Sequence, residues 1–239
     1  MSMTFPGYLA LTAAELSHCQ HLPEKTAWMA CHYSCYGTGL SNCPSALPPG
    51  AMLIINDRTP PQGHDHQVIA RQAAELVKTL DICCVLLDLQ RPASPENAQL
   101  ARTLVQSLDR PVAVSELYAK DLDCPVFLPP VPPNCLLTKY IAPWQDREIW
   151  LEAALSCICF TVTEEQSLTC HLLEPPGEHP NIFQNEELNC HYCMDEEKDS
   201  VRFTLWRTAE DLAAHLEKAI GLGITKVVGL YQELGKYFS

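Results

Sequence analysis

The sequence predicts an α/β fold in which parallel strands alternate with helices, and three observations lead to it. Short apolar runs such as residues 82–87 end in polar residues and are followed at once by a capped amphipathic segment. Units of this kind follow one another over residues 51–116, which favours right-handed crossovers in a barrel or an open sheet. The length of 239 residues suits one large α/β domain, so we predict a single domain over 1–239.

The elements of the first half are predicted from local signals. A capping box formed by Thr12 and Glu15 predicts a short helix near the N-terminus. The elements that follow are a strand at 27–33, a strand at 51–56, a helix capped by Asp65, a strand at 82–87, a helix capped by Ser94 with Pro95 in its first turn, and a strand at 111–116.

In the second half the alternation of strands and helices becomes irregular. Strands are predicted at 125–128 and 135–141, but the proline-rich residues between them leave no room for a helix. Residues 151–173 predict an antiparallel hairpin, although 148–155 are also compatible with a helix. The remaining predicted elements are strands at 188–194 and 201–206, a helix capped by Thr208, and a closing strand at 224–230. An antiparallel insertion over about 151–206 is therefore expected.

Charge and composition narrow the classes of partner. The 16 Lys and Arg residues against 29 Asp and Glu give a formal net charge of -13, which argues against nucleic acid and against an anionic membrane surface. No apolar run approaches the ~20 residues that span a bilayer, and the N-terminus lacks the pattern of a signal peptide. The 13 cysteines are odd in number and several lie in apolar runs, so we expect a cysteine-rich, cytoplasmic protein with reduced thiols.

Two segments resemble one known family. Residues 83–87 followed by 88–92 (DLQRP) resemble the fourth barrel strand of the chitinase-type glycoside hydrolases, family 18, where a DxxDxDxE motif is commonly followed by proline. Residues 201–234, ending in LYQEL, resemble that family's final helix and eighth strand, where Trp-Glu-Leu commonly closes the barrel. The resemblance implies a TIM-type (β/α)8 barrel that is degenerate in its second half, with an antiparallel hairpin insertion before the last strand.

The sequence departs from the family motif at the catalytic position. Gln90 stands where the family has its acid Glu and Asp88 matches the last Asp, whereas Leu86 and Cys83 replace the other two acids. In the family that Glu protonates the leaving oxygen, and an amide has no proton to give near neutral pH. The resemblance thus implies a carbohydrate-binding barrel with impaired catalysis and an unknown substrate. The residues predicted to bind the saccharide are Asp57, Gln90, Tyr140, Trp206, Tyr231 and Glu233.

An active hydrolase is the alternative, and the sequence does not decide between the two. Asp88 and Glu116 follow neighbouring strands, so a barrel would place both on its C-terminal rim as a catalytic pair for a small or glycosidic substrate. The simpler interpretation is that Asp88 pairs with Arg91 or caps the next helix, and that Glu116 is a solvated rim residue. Asp57 is a third candidate, with Arg58 as its expected partner.

No metal or cofactor is predicted. Residues 31–35 and 190–193 each combine Cys with His, which is compatible with zinc, but strands would place Cys190 and Cys193 on opposite faces. His64 and His66 flank a helix cap, where polar residues are common. The sequence contains neither a glycine-rich phosphate loop nor a Gly-x-Ser-x-Gly elbow, and nothing in it predicts the oligomeric state.

Overall fold

The structure is a computed structural model that describes residues 4–238 except 20, 35–37, 61, 62, 64, 164–166, 173, 178, 198 and 199; for 167–172 and 197 it describes the backbone alone. The strands of this part of the chain are β1 (Tyr8–Leu11), β2 (Thr26–Tyr33), β3 (Leu40–Ser41), β4 (Met52–Asn56), β5 (Cys84–Asp88), β6 (Val112–Ser115), β7 (Val126–Leu128), β8 (Ile149–Ala153), β9 (Cys157–Thr163), β10 (Ser167–Leu172), β11 (Phe183–Asn185), β12 (Cys190–Glu197), β13 (Ser200–Trp206) and β14 (Lys226–Leu230).

The helices of the described residues are α1 (Ala13–His18), α2 (His66–Thr79), α3 (Pro95–Ser107), α4 (Glu116–Ala119), α5 (Leu137–Ile141), α6 (Ala209–Gly221) and α7 (Tyr231–Leu234), with a 3-10 turn at Ala142–Trp144. Four of them, α1, α2, α3 and α6, begin after the predicted caps. Thr12 and Thr208 form capping boxes with Glu15 and Asp211, and Asp65 accepts from the backbone of α2. No helix in the described ranges is long and apolar enough to cross a bilayer.

Eight parallel strands close into a barrel, as predicted. The ring runs β1-β2-β4-β5-β6-β7-β8-β14, and β14 pairs with β1 to close it, while β3 adds an antiparallel edge to β2. The crossovers of the second half are shortened, since α4 and α5 have only 4 and 5 residues. The predicted degeneracy of the second half is therefore confirmed.

Three predicted elements differ from the structure. The barrel begins with β1, which the sequence analysis missed, so β5 is the fourth barrel strand. Residues 135–141, predicted as a strand, contain α5, whose Leu137 and Ile141 lie one helical turn apart and are both buried. The helical alternative for 148–155 is wrong, because β8 pairs in parallel with β7 and β14. Residues 151–153, predicted in the antiparallel hairpin, therefore belong to the barrel, and the hairpin begins at β9.

The antiparallel insertion lies between β8 and α6. Its five strands are ordered β10-β9-β13-β12-β11, and the predicted hairpins are the pairs β9 with β10 and β12 with β13. The turn residues 164–166, 198 and 199 lie outside the described residues. The hairpins confirm an insertion ahead of the last barrel strand.

Two apolar layers enclose the barrel strands, and their alternation positions the site. In β5, Val85 and Leu87 belong to the core between strands and helices, whereas Leu86 belongs to the smaller cluster inside the lumen. In β8, Leu151 faces the outer core and Trp150 the lumen in the same way. The lumen-facing side chain two residues further along each strand therefore lies at the mouth of the barrel.

Candidate active site

Strand alternation brings Asp88 and Glu152 to the mouth of the barrel. Asp88 ends β5 two residues after Leu86, and Glu152 lies in β8 two residues after Trp150, so both carboxylates continue a lumen-facing row. Both line a space of about 50 Å³ at the top of the lumen and an outer cavity of about 480 Å³. This end of the barrel is the C-terminal rim, where barrel enzymes hold their active sites.

The outer cavity combines carboxylates with apolar walls. Its lining residues are Asp88, Leu89, Gln90, Ser115, Glu116, Leu117, Phe127, Pro129 and Glu152. A neighbouring cavity of about 430 Å³ is bordered by Asp57, Asp88 and Gln90 as well. The structure thus brings together the predicted residues Asp88, Gln90 and Glu116, and it adds Glu152 to them.

The side-chain amide of Gln90 is bonded to Asp88. Its Nε2 donates to Oδ1 of Asp88 at 3.1 Å and to Oδ2 at 3.0 Å. The predicted alternative of an Asp88–Arg91 pair is not what the structure shows, since Arg91 donates to the backbone carbonyls of Asp57 and Arg58 at 2.6 and 2.7 Å. A neutral amide therefore engages the carboxylate that the family motif places two residues before its acid.

Burial and neighbouring carboxylates raise the pKa values of Asp88 and Glu152. Burial raises the pKa of Asp88, the hydrogen bond from Gln90 opposes this, and the charge of Asp57 adds to the increase. Burial, followed by the charges of Asp88 and Glu233, raises the pKa of Glu152 to about 7. A carboxyl whose pKa lies near neutral suits a group that donates or accepts a proton in a reaction.

Glu152 is a site residue that the sequence analysis missed. It interrupts the apolar run of β8 one residue before the strand ends, which is the same signal that identified Asp88 at the end of β5. The prediction assigned residues from 151 to the antiparallel insertion, with a helix over 148–155 as the alternative, and neither assignment places Glu152 at a barrel mouth. Assignment of 149–153 to a parallel barrel strand would have predicted it.

Asp57 anchors the segment that follows β5. Its carboxylate is 3% exposed and accepts from the backbone N–H groups of Gln90 and Arg91, both at 3.0 Å, and from Nδ2 of Asn97 at 3.0 Å. These donors, and not the expected Arg58, are its partners in the structure. Ser115 supports the same segment by accepting from Leu89 N–H at 2.8 Å. The geometry gives Asp57 a positioning role, and its predicted contact with a saccharide stays a prediction.

Of the remaining predicted ligands, Tyr140 and Glu233 interact with residues that line the cavity, whereas Tyr231 has its contact elsewhere. The Tyr140 hydroxyl donates to the carbonyl of Pro129 at 3.2 Å, and burial followed by the Glu116 charge raises the pKa of Tyr140. Glu233 accepts from the Leu155 backbone N–H directly after β8. Tyr231 also lies in α7, but its hydroxyl accepts a hydrogen bond from the Cys19 thiol at 3.5 Å.

Trp206 lies in the insertion and not on the cavity wall. It is 6% exposed, packs with Cys157 and Cys193, and stacks on the His191 ring with 6.0 Å between ring centroids. The described residues that line the outer cavity do not include it. Its aromatic ring therefore packs within the insertion. The sequence alone did not indicate this position.

The described Cys residues of the two candidate zinc segments belong to different apolar clusters. Cys190 and Cys193 belong to different apolar clusters, as expected for opposite faces of β12, and His191 pairs with Asp211 at 2.6 Å. Cys35 and His64 lie outside the described residues. Among the residues that are described, no group of three or more His, Cys, Asp or Glu side chains is placed to hold a metal ion.

Comparison with known proteins identifies the fold. No protein-family model matches the chain, and no curated protein matches it. The spore cortex-lytic enzyme SleL of Bacillus cereus is similar, with a TM-score of 0.56 and 9% sequence identity over 100% of this chain and 75% of that one. A family 18 N-acetylglucosaminidase of Paenibacillus barengoltzii has a TM-score of 0.54 and 10% identity over 96% of this chain and 94% of its own. The family 18 chitinase of Cycas revoluta in complex with (GlcNAc)3 has a TM-score of 0.53 and 9% identity over 93% of each chain. The chain therefore has the (β/α)8 barrel fold of glycoside hydrolase family 18.

Proposed function

We propose that this family 18-type barrel binds a saccharide at its C-terminal rim and does not hydrolyse it by the family mechanism. One observation carries the proposal: Gln90, at the position of the family's acid, donates its amide hydrogens to both oxygens of Asp88. An amide in this place can hold the carboxylate and a ligand, but it cannot protonate a leaving oxygen.

The end of β5 offers no replacement for that acid within the motif. Leu86 and Cys83 stand at the other two acidic positions, and Leu86 is 1% exposed inside the lumen. Asp88 itself is engaged by Gln90. Without a proton donor at the leaving oxygen, a positioned acetamido group would gain little as a nucleophile, because general acid catalysis contributes about 10²–10⁴-fold.

The cavity fits a sugar ring in size and in chemistry. At about 480 Å³ it lies within the usual range of small-molecule sites. Phe127, Pro129 and Leu117 provide apolar walls for the C–H face of a ring, while Gln90 and Glu116 offer groups for its hydroxyls. The chitinase of Cycas revoluta, which shares the fold, holds (GlcNAc)3, and this supports N-acetylglucosamine oligomers as the first ligands to test.

Calorimetric titration with N-acetylglucosamine oligomers tests the proposal. We expect measurable binding, and Glu116→Gln should weaken it about tenfold, which is ~1.4 kcal/mol for one hydrogen bond to a charged group. Glu96→Gln makes the same chemical change at an exposed position in the first turn of α3 and should leave the affinity unchanged. Absence of binding by the wild-type chain, or equal loss in both variants, would contradict the proposal.

An active hydrolase is the second candidate, and one observation favours it. The pKa of Glu152 is raised to about 7 beside Asp88, which is the property of a general acid working at neutral pH. In this case Glu152, and not the predicted Glu116, would partner Asp88. Turnover that Glu152→Gln abolishes and Glu116→Gln preserves would support this candidate over the first.

A further inference from the structure

Two thiols outside the candidate active site lie side by side. Cys43, in the segment between β3 and β4, has its sulfur 4.0 Å from that of Cys31 in β2. Cys43 is exposed, whereas Cys31 is 0% exposed. A disulfide needs the sulfurs at about 2.05 Å, so closure requires an approach of roughly 2 Å by a residue in a surface segment.

The segment around Cys43 is held in this position from both sides. The Trp28 indole donates to the carbonyl of Asn42 at 2.9 Å, and the Asn42 amide meets the His32 ring at 3.1 Å. On the side of α2, the backbone N–H of Leu40 donates to Oε1 of Gln72 at 2.8 Å. The closeness of the two thiols is thus fixed by contacts that do not depend on the sulfurs.

A small molecule can reach Cys43 but not Cys31. Cys43 borders a cavity of about 230 Å³ against α2 that includes Gln72, Glu75 and Thr79, and this cavity shares no residue with those at the barrel mouth. The hydrogen bond from the Cys31 thiol lowers the pKa of Cys43 to about 7. The larger thiolate fraction, offset by weaker nucleophilicity, should make Cys43 react roughly fivefold faster at pH 7 than an ordinary thiol.

We propose that Cys43 and Cys31 form a redox-modification site for low-molecular-weight disulfides. The Cys43 thiolate attacks one sulfur of the small disulfide, whose S–S bond breaks, and one thiolate leaves. Cys31 then attacks the Cys43 sulfur of the mixed disulfide, and its proton passes to the small thiolate that leaves. The second small thiolate leaves, so the protein is oxidised by two electrons and the small disulfide is reduced to two thiols.

The Cys83 and Cys84 pair provides a matched comparison. Their sulfurs are only 3.3 Å apart, which is closer than in the proposed site. Their Cα atoms, however, are separated by a single peptide unit of about 3.8 Å, below the 4.4–6.8 Å usual in disulfides. The Cys83 N–H also donates to the Ala51 carbonyl, and Cys84 pairs with Met52 across the sheet. These strand contacts oppose the backbone distortion that a Cys83–Cys84 disulfide would need. Proximity alone would select this pair, whereas Cys31 and Cys43 are 12 residues apart in sequence and are free of the constraint that adjacent residues impose.

Treatment of the folded full chain with oxidised glutathione tests the proposal. Peptide mass mapping should find a Cys31–Cys43 link in the wild type, and it should find no Cys83–Cys84 link. In Cys31→Ala the mixed disulfide should accumulate on Cys43, because the resolving thiol is gone. In Cys43→Ser no glutathione should appear on the buried Cys31.

Two results would overturn the proposal. One is a wild-type chain that is oxidised at other cysteines while Cys31 and Cys43 stay reduced. The other is equal glutathionylation of Cys43 in the wild type and in Cys31→Ala, which would show that Cys31 does not resolve the adduct. The wild-type map decides the first result even if Cys31→Ala folds poorly, and circular dichroism establishes whether it does.

Discussion

Replacing Glu152 by Gln should stabilise the protein above neutral pH and change it much less near pH 5. The folded chain holds the Glu152 proton with a pKa of about 7, against an ordinary value of 4.5. As the pH rises the unfolded chain ionises first, so the stability that the neutral carboxyl provides below pH 4.5 is lost as the pH passes through about 7. The pKa difference corresponds to about 3 kcal/mol, and partial exposure reduces this to roughly 2 kcal/mol.

Urea unfolding of the wild type and Glu152→Gln at pH 5 and pH 8 measures this effect. We expect the advantage of the variant to be roughly 2 kcal/mol larger at pH 8 than at pH 5, because Gln cannot ionise. Glu148→Gln is a control of opposite sign: burial raises the pKa of Glu148, but hydrogen bonds from Trp150 and Thr225 outweigh burial and lower it. That variant should lose a similar amount of stability at pH 8 and at pH 5, because both pH values lie above the ordinary pKa of 4.5 and the contribution is lost only below it. A Glu152→Gln advantage that is the same at both pH values would refute the reasoning.

Three further predictions concern the rim and the insertion. Asp57→Ala should lower the free energy of unfolding by roughly 3 kcal/mol, because it leaves three hydrogen-bond donors without an acceptor. Loss of the helix cap in Asp65→Ala should lower it by about 1 kcal/mol. Equal losses for the two variants in urea unfolding would contradict this. Arg207→Met should lower the free energy of unfolding by roughly 3 kcal/mol in the same assay, because Arg207 is 2% exposed and its guanidinium donates to four backbone carbonyls. An unchanged free energy of unfolding would show that water replaces these hydrogen bonds. Gln90→Glu should place a carboxyl that shares a proton with Asp88 and should yield product from N-acetylglucosamine oligomers. Binding without product in this variant would show that a carboxyl at position 90 is not sufficient for hydrolysis.

Elements with local signals were predictable from the sequence, and elements defined by distant pairing were not. The helices that begin after Thr12, Asp65, Ser94 and Thr208 carry their start signals within a few residues of the cap. In contrast, β1 has four residues and is a barrel strand only because it pairs with β14 at the other end of the chain and with β2. No window of sequence around residues 8–11 contains that information.

In the candidate site, too, residues that end a recognisable strand were predictable, and roles that depend on distant contacts were not. Asp88, Gln90 and Glu116 follow strands recognisable from their apolar runs, and the structure places them on one cavity. Glu152 was missed because its strand was assigned to the antiparallel insertion and not to the barrel. The role of Asp57 follows from donors at Gln90, Arg91 and Asn97, which are 33–40 residues away in sequence. Such contacts become visible only when β4 and β5 are seen side by side.

The most direct test of saccharide binding without hydrolysis is to titrate the full chain with (GlcNAc)4 by calorimetry and then recover the ligand for mass spectrometry. The account predicts heat of binding that Glu116→Gln reduces, followed by recovery of the intact tetramer. Shortened oligomers in the wild-type sample would contradict the assignment of Gln90 as a non-catalytic replacement for the acid. Absence of any binding heat would contradict the proposed saccharide site itself.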